Sequence, residues 1–195
     1  MSDKYQCFAD LAKENVSDVD YRISTIVRPN RHVLIIAPHG GSIERRTSEI
    51  ARSLAGQDHS LYLFEGIDPN GTFDTLHITS HRFDEPSCIE LVQQFPCAIS
   101  VHGCSGDREE IFLGGLNLML RKLFYESLSF AGLTVFNGEH KFQGTHPMNI
   151  CNRGSTNQGI QIEFSDALRG SRNEKQAISV LRETLASYCQ ATFKD

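Results

Sequence analysis

Val33-Leu-Ile-Ile-Ala-Pro-His39-Gly-Gly41 is an apolar run that ends in a histidine and two glycines. A second run of the same kind, Cys97-Ala-Ile-Ser-Val-His102-Gly103, follows later in the chain. Short apolar runs of this type are typical of strands buried in a parallel sheet. Because the carboxyl ends of parallel strands open into one crevice, we expect His39 and His102 to lie close together.

Around these two runs, strand-like and helix-like segments alternate, which favours an α/β fold. Helices are predicted at 42–55, 87–95, 116–131 and about 173–191 from their apolar spacing. Strands are predicted at 20–27, 33–37, 61–64, 76–81, 97–101, 133–136 and 160–164. The prediction is one domain over residues 1–195, a three-layer α/β/α arrangement around a mixed, mostly parallel sheet. The stretch 137–156 lacks periodicity and is expected to form a wall of the site.

The composition narrows the class of protein. The chain has 195 residues with a formal net charge of −5 and no basic run, which argues against a nucleic-acid partner. No segment approaches the roughly 20 apolar residues of a membrane span, and the first residues lack an apolar signal core. We expect a cytoplasmic protein, released only by lysis, without a membrane partner and monomeric by default.

Two carboxylates accompany the histidines. Glu44 follows His39 after a short loop with two glycines, so its side chain can fold back toward the imidazole and share a metal ion. Glu163 lies between apolar residues in the strand at 160–164, where an ionised carboxylate is costly unless a cation or partner compensates. Together with His102, these residues predict a zinc hydrolase site, with Glu163 as general base.

Each of these residues also has a structural interpretation. Either histidine alone could serve only in hydrogen bonding, and Glu44 could simply favour a helix amino terminus. Glu163 could pair with Arg153 or Arg169. The hydrolase interpretation rests on finding the histidines at equivalent strand ends.

Several ordered motifs match one known family. They are Ala37-Pro-His-Gly-Gly-x-Ile-Glu44, Leu76-His-Ile-Thr-Ser80, Phe83-Asp-Glu-Pro86, His102-Gly-Cys104, Asn149-Ile-Cys-Asn-Arg153 and Gly159-x-Gln-x-Glu163. The chain resembles the poly-γ-glutamate hydrolase family of phages and bacilli, from Phe8 to Arg169. This resemblance implies a fold similar to zinc carboxypeptidases and, more distantly, to zinc-dependent cell-wall amidases.

The resemblance also implies roles for individual residues. His39, Glu44 and His102 match the zinc ligands, and Glu163 matches the catalytic glutamate. The implied activity is zinc-dependent hydrolysis of γ-glutamyl amide bonds in poly-γ-glutamate. Arg153 is a candidate for stabilising the oxyanion or clamping a substrate carboxylate, because a guanidinium suits both tasks. Arg45 and His77 are further candidates for binding substrate.

Two other classes of function stay open. A cysteine-dependent amidase could use Cys104 or Cys151 with a histidine. A non-catalytic, phage-derived module could use the same crevice to bind a peptide or glycan. A serine hydrolase is disfavoured because Gly40-Gly-Ser-Ile-Glu44 fails the G-x-S-x-G pattern at its last position.

Overall fold

The computed structural model describes residues 3–69 and 72–193. Within them, one sheet contains seven strands: β1 (Tyr21–Ile26), β2 (Val33–Gly41), β3 (Ser60–Gly66), β4 (Cys97–Cys104), β5 (Ile111–Gly114), β6 (Val135–Phe136) and β7 (Ile160–Ser165). The α-helices are α1 (Phe8–Glu14), α2 (Thr47–Ala55), α3 (Phe73–Leu76), α4 (Pro86–Val92), α5 (Leu118–Phe130) and α6 (Arg172–Thr192). A short 3₁₀ helix spans Ile150–Arg153.

The strands lie in the order β1-β3-β2-β4-β7-β5-β6. The β1–β3 and β5–β7 pairs are antiparallel, and the other neighbours are parallel. Helices cover both faces, because side chains of α2, α5 and α6 join one apolar core and those of α1 and α4 join the other. The predicted α/β fold with a mixed, mostly parallel sheet is therefore confirmed.

Strand β2 shows why the sheet is buried on both sides. Val33 and Ile35 point into one core cluster, whereas Leu34 and Ile36 point into the other. The chain leaves β2 through α2 to reach β3 on one side, and β4 lies on the other side of β2. This reversal of direction opens a crevice at the carboxyl ends of β2 and β4, where ligands of open α/β sheets bind.

Two element predictions were wrong. The segment 76–81 alternates apolar and polar residues like a strand, but only Leu76 is in a regular element, the last residue of α3. Its backbone is bonded elsewhere: Thr79 N donates to a carboxylate oxygen of Asp3, and the Ile78 carbonyl faces the His39 ring. The helix expected at 42–55 begins only at Thr47, because Arg46 has a left-handed backbone with φ of 74°.

Among the described elements, α1, α3, β5 and the short 3₁₀ helix have no counterpart in the sequence prediction. None of the described helices is long and apolar enough to cross a membrane.

Candidate metal centre and active site

The first part of the site is the turn that leads from β2 toward α2. Gly41 has φ of 62°, a left-handed conformation that glycine adopts without strain. Glu44 N donates to the His39 carbonyl oxygen at 3.0 Å, and Thr47 Oγ1 donates to the same oxygen. The turn thereby folds the Glu44 side chain back over the end of the strand that carries His39.

His39, Glu44 and His102 converge in the crevice. The Nδ1 atom of His39 lies 3.1 Å from Glu44 Oε1 and 3.2 Å from His102 Nδ1. His102 Nδ1 lies 3.7 Å from Glu44 Oε2. The three residues are only 1, 8 and 2% exposed. Three residues from separate segments therefore present nitrogen and oxygen atoms to one small volume.

Hydrogen bonds fix the direction of both imidazoles. His39 Nε2 lies 2.8 Å from the carbonyl oxygen of Ile78, which can only accept, so this nitrogen carries the hydrogen and neutral His39 has its lone pair at Nδ1. His102 Nε2 lies 3.4 Å from Ser80 Oγ, which leaves its Nδ1 facing His39. The Nδ1 atoms of both histidines thus face the Glu44 carboxylate, where a protonated ring stabilises the negative charge and a deprotonated Nδ1 offers a lone pair to a cation.

The spacing of these atoms fits zinc. Ligand distances of about 2.0–2.1 Å around a tetrahedral ion place neighbouring ligand atoms roughly 3.3 Å apart. The two Nδ1 atoms lie 3.2 Å apart, and each faces a different oxygen of Glu44, at 3.1 Å from His39 to Oε1 and 3.7 Å from His102 to Oε2, so the separations are close to that value. Nitrogen and carboxylate donors are also the set that zinc takes in catalytic sites.

The charge of Glu44 is stabilised in place. Burial alone would raise its pKa, but the charges and hydrogen bonds of His39 and His102 hold the pKa well below its ordinary value. Gly103 N also donates to Glu44 Oε2 at 2.8 Å. Glu44 is therefore an ionised carboxylate at neutral pH, which is the form that binds a metal ion.

Glu163 is the second buried carboxylate. It lies on β7 directly opposite His102 of β4, and Gln161 Nε2 donates to its Oε1 at 2.9 Å. Burial, and after it the negative charge of Glu44, raises the pKa of Glu163 to about 8. The two carboxylates thus differ in protonation at neutral pH, a separation that active sites use to divide roles between acid and base.

His77 lies beside the same cluster. Its Nε2 is 3.7 Å from Glu44 Oε1, and its ring centroid is 4.1 Å from that of His39. Its Nδ1 lies 2.7 Å from Asp3 Oδ1, and burial followed by the charge of His39 lowers the pKa of His77 to about 4. His39, Glu44 and His77 also form a triplet with one ligand atom from each within 4.8 Å. We favour His102 as the partner of His39 because it lies on β4 beside β2, with its Nδ1 3.2 Å from His39 Nδ1.

These residues open into a cavity of about 1000 Å³. Residues 140–146 and Asn149 form one wall, so the stretch without periodicity lies where a binding wall was expected. Arg45 and His77, both candidates for substrate binding, line the cavity. Lys141 and Arg169 add positive charge to its lining.

Arg153 is not among the described residues that line the cavity. Its charge acts instead on Cys88 in α4, where burial raises the pKa of the thiol and the Arg153 charge partly offsets that rise. Arg169 is the guanidinium that the structure brings to the site: its Nη1 donates to the Phe164 carbonyl oxygen at 2.9 Å. A Cβ atom at position 103 would lie 1.8 Å from that nitrogen, so Gly103 provides the space for Arg169.

The two cysteines considered as nucleophiles have different positions. Cys104 lines the cavity, but burial and then the charge of Glu163 raise the pKa of its thiol to about 12. Cys151 is fully buried, which raises its pKa to about 12, and its Sγ donates to Asn149 Oδ1. Because the thiolate is the nucleophilic form, both environments disfavour cysteine chemistry at neutral pH.

Sequence reasoning missed two contributors to the site. Gln161 stands in the motif Gly159-x-Gln-x-Glu163, and its contact with Glu163 follows from strand alternation, since both side chains point to one face. Asp3 had no sequence signal, because a lone aspartate before a helix is usually a surface residue.

Comparison with known proteins gives a consistent result. The sequence model of a family described as poly-gamma-glutamate hydrolase matches residues 5–191. SPβ prophage-derived protein YoqZ of Bacillus subtilis (strain 168) is 39% identical over 170 residues, which is 86% of this chain and 61% of YoqZ. Protein YndL of the same strain is 39% identical over 171 residues, 87% of this chain and 66% of YndL. The chain thus spans about two thirds or less of the length of these relatives.

Solved structures agree with the sequence comparison. A bacteriophage poly-gamma-glutamate hydrolase superposes with a TM-score of 0.92 at 29% identity, covering 97% of this chain and 100% of that one. YndL in an apo, zinc-free form superposes with a TM-score of 0.85 at 32% identity, covering 99% of this chain and 100% of that one. A putative carboxypeptidase of Burkholderia mallei, with a TM-score of 0.50 at 14% identity, shares the fold alone over 87% of this chain and 59% of its own.

Proposed function

The chain belongs to the poly-γ-glutamate hydrolase family, and we propose that it is a zinc-dependent hydrolase of γ-glutamyl amide bonds. The observation that carries the proposal is the convergence of two imidazole Nδ1 atoms and an ionised carboxylate beside a second, protonatable carboxylate. The zinc-free state named for YndL supports zinc as the metal. His39, His102 and Glu163 lie on strands of one sheet, and Glu44 lies in the turn after β2, which supports a single hydrolase domain.

His39, Glu44 and His102 would hold the zinc ion. Their donor atoms lie 3.1 to 3.7 Å apart, and hydrogen bonds to Ile78 and Ser80 fix the two rings. When bound, zinc supplies a Lewis acid that polarises a carbonyl group and lowers the pKa of water. Three protein ligands leave a position open for that purpose.

Glu163 would act as the general base and then the general acid. Its carboxylate takes a proton from the attacking water while the water oxygen bonds to the amide carbon. The proton then passes to the leaving nitrogen as the carbon–nitrogen bond breaks, giving a carboxylic acid and an amine; at neutral pH the acid proton moves to the amine, which leaves a carboxylate and an ammonium group. The ionised form required for the first step is favoured by any cation held at the neighbouring Glu44, because an opposite charge lowers a carboxyl pKa.

The cavity cations would bind the substrate. Each γ-linked glutamate keeps a free α-carboxylate, so the polymer is a polyanion that meets a protein of net charge −5. Arg45, Lys141 and Arg169 line the cavity and can offset this repulsion locally. We assign to Arg169 the clamping role that the sequence suggested for Arg153, because Arg169 lies in the cavity.

We expect cleavage of poly-γ-glutamate by the zinc-loaded protein, loss of cleavage after chelation and recovery on adding zinc. Chain length is followed by gel filtration, with zinc content measured on the same samples. Poly-α-glutamate is the matched substrate control, because it has the same charge density but a different backbone linkage. Zinc uptake without cleavage of the γ-linked polymer would contradict the proposal and favour a binding module.

The cysteine alternative makes a separate prediction. A Cys104→Ser variant is expected to keep kcat within about threefold of wild type, because the thiol, with a pKa of about 12, stays protonated and non-nucleophilic at neutral pH. Cys88→Ser, buried away from the cavity, serves as a control for effects on folding. Loss of activity in Cys104→Ser alone would revive the cysteine mechanism.

A further inference from the structure

The segment His77–Ser80 lies against the metal centre and contacts each of its histidines. The Ile78 carbonyl accepts from His39 Nε2, and Ser80 Oγ lies 3.4 Å from His102 Nε2. The His77 ring stacks on His39 with centroids 4.1 Å apart. The orientation of both proposed zinc-binding imidazoles therefore depends on where this segment lies.

No strand pairing holds this segment, although its sequence alternates like a strand. The carboxylate of Asp3 holds the segment instead. Its Oδ2 accepts from Thr79 N at 2.7 Å and from Thr79 Oγ1 at 2.6 Å, and its Oδ1 lies 2.7 Å from His77 Nδ1. Arg82 adds an ion pair to the same carboxylate. The Asp3 side chain thus contacts three atoms of the segment, one on His77 and two on Thr79.

We propose that Asp3 is a positioning residue of the metal centre, acting through the segment His77–Ser80; the inference rests on the proposed function. Asp3 touches neither Glu44 nor the zinc-binding atoms of His39 and His102 in any described contact. Its effect passes through the Ile78 carbonyl and the Ser80 hydroxyl. Asp3 lies before the residues 5–191 that the family model matches, whereas the segment His77–Ser80 lies within them.

The physical basis is the orientation of ligand rings by a second layer of hydrogen bonds. A partner on the distal nitrogen selects the tautomer and fixes the ring plane, and its removal typically weakens metal binding about 10- to 100-fold. Asp3 acts one step further out, on the backbone that provides those partners. Without its carboxylate, Thr79 N loses its acceptor and the segment loses its fixed position.

The test compares two aspartates, each of which accepts a hydrogen bond between the start of the chain and a later segment: Asp3 accepts from Thr79 N, and Asp84 accepts from Phe8 N at the start of α1. Asp3→Asn removes the charge at the metal-centre segment and leaves one acceptor oxygen where two now accept, while Asp84→Asn replaces the charged acceptor of Phe8 N, with an O–N distance of 2.6 Å, by a neutral one outside the cavity. Zinc affinity is measured by competition with a chromophoric chelator, and Tm is measured on the chelated proteins. Thr79→Val is a milder second variant that keeps Asp3 and loses one hydroxyl contact.

We expect the Kd for zinc to rise about 10- to 100-fold in Asp3→Asn, about 2- to 10-fold in Thr79→Val, and not in Asp84→Asn. Both aspartate variants should lower the Tm of the chelated protein by about 2–4 °C, since each replaces a charged hydrogen-bond acceptor by a weaker neutral one. Equal zinc Kd values for Asp3→Asn and wild type, or an equal rise in both aspartate variants, would overturn the role of Asp3. A wild type that takes up no zinc would instead overturn the proposed function.

Discussion

A Glu163→Gln protein is expected to lose about 10²- to 10⁴-fold in kcat on poly-γ-glutamate and to bind zinc as wild type does, since this range is the usual contribution of a general base. Glutamine keeps the size of the side chain and can still accept the hydrogen bond from Gln161 Nε2. It cannot take a proton from water. Because Glu163 is not among the proposed ligands, the zinc content should not change.

The measurement is single-turnover cleavage of the polymer by the zinc-loaded variant, beside zinc content on the same sample. Glu90→Gln, an exposed glutamate of α4, is the matched substitution outside the cavity. A kcat within about tenfold of wild type would show that another group carries the proton.

The stability of the chelated Glu163→Gln protein checks that its fold is intact. Burial raises the pKa of Glu163 from 4.5 to about 8, so the folded wild type holds a proton that the unfolded chain releases between these pH values. Wild-type stability therefore falls as pH rises through this window. Glutamine does not titrate, so the variant does not lose stability in this way. The free energy of unfolding of the variant minus that of wild type should therefore increase from about pH 4.5 to about pH 8. A variant that is less stable throughout would indicate damaged packing.

The strands that carry the site could be predicted from the sequence because their residue types indicate burial. The runs that end in His39 and His102 are apolar on both faces, and this pattern identifies central strands of a parallel sheet. Glu163 was recognisable because a carboxylate is rare in such a strand. The structure brings all three residues, with Glu44, into one crevice.

The sequence did not predict where backbone N–H and C=O groups form hydrogen bonds with side chains. The alternation at 76–81 predicts a strand, but Asp3 and His39 take the hydrogen bonds of Thr79 and Ile78. Periodicity records which side chains are buried and not where N–H and C=O groups find partners. Sequence also gave no indication that Arg153 lies outside the described cavity lining, since membership of a motif does not determine the direction in which a side chain points.

The last prediction concerns Glu44. A Glu44→Gln protein is expected to bind zinc about 10²- to 10⁴-fold more weakly, because about 10–16 kcal/mol of apparent zinc binding is shared among three or four ligands. Cleavage should fall with zinc occupancy and recover in part when excess zinc is supplied. Glu49→Gln is the matched control, an exposed glutamate in the first turn of α2.

The two buried carboxylates should also affect the chelated protein in opposite directions. Contacts with His39 and His102 hold the pKa of Glu44 below its ordinary value of 4.5, so its charge stabilises the fold above that pH and the gain is lost as pH falls through the lowered pKa. Chelated Glu44→Gln should therefore be less stable than wild type at neutral pH, and the difference should shrink in acid. Denaturant titrations from about pH 2 to about pH 7 measure this, because the difference should be constant above about pH 4.5 and shrink below it. A Glu44→Gln protein with the zinc Kd of Glu49→Gln would remove Glu44 from the proposed metal centre.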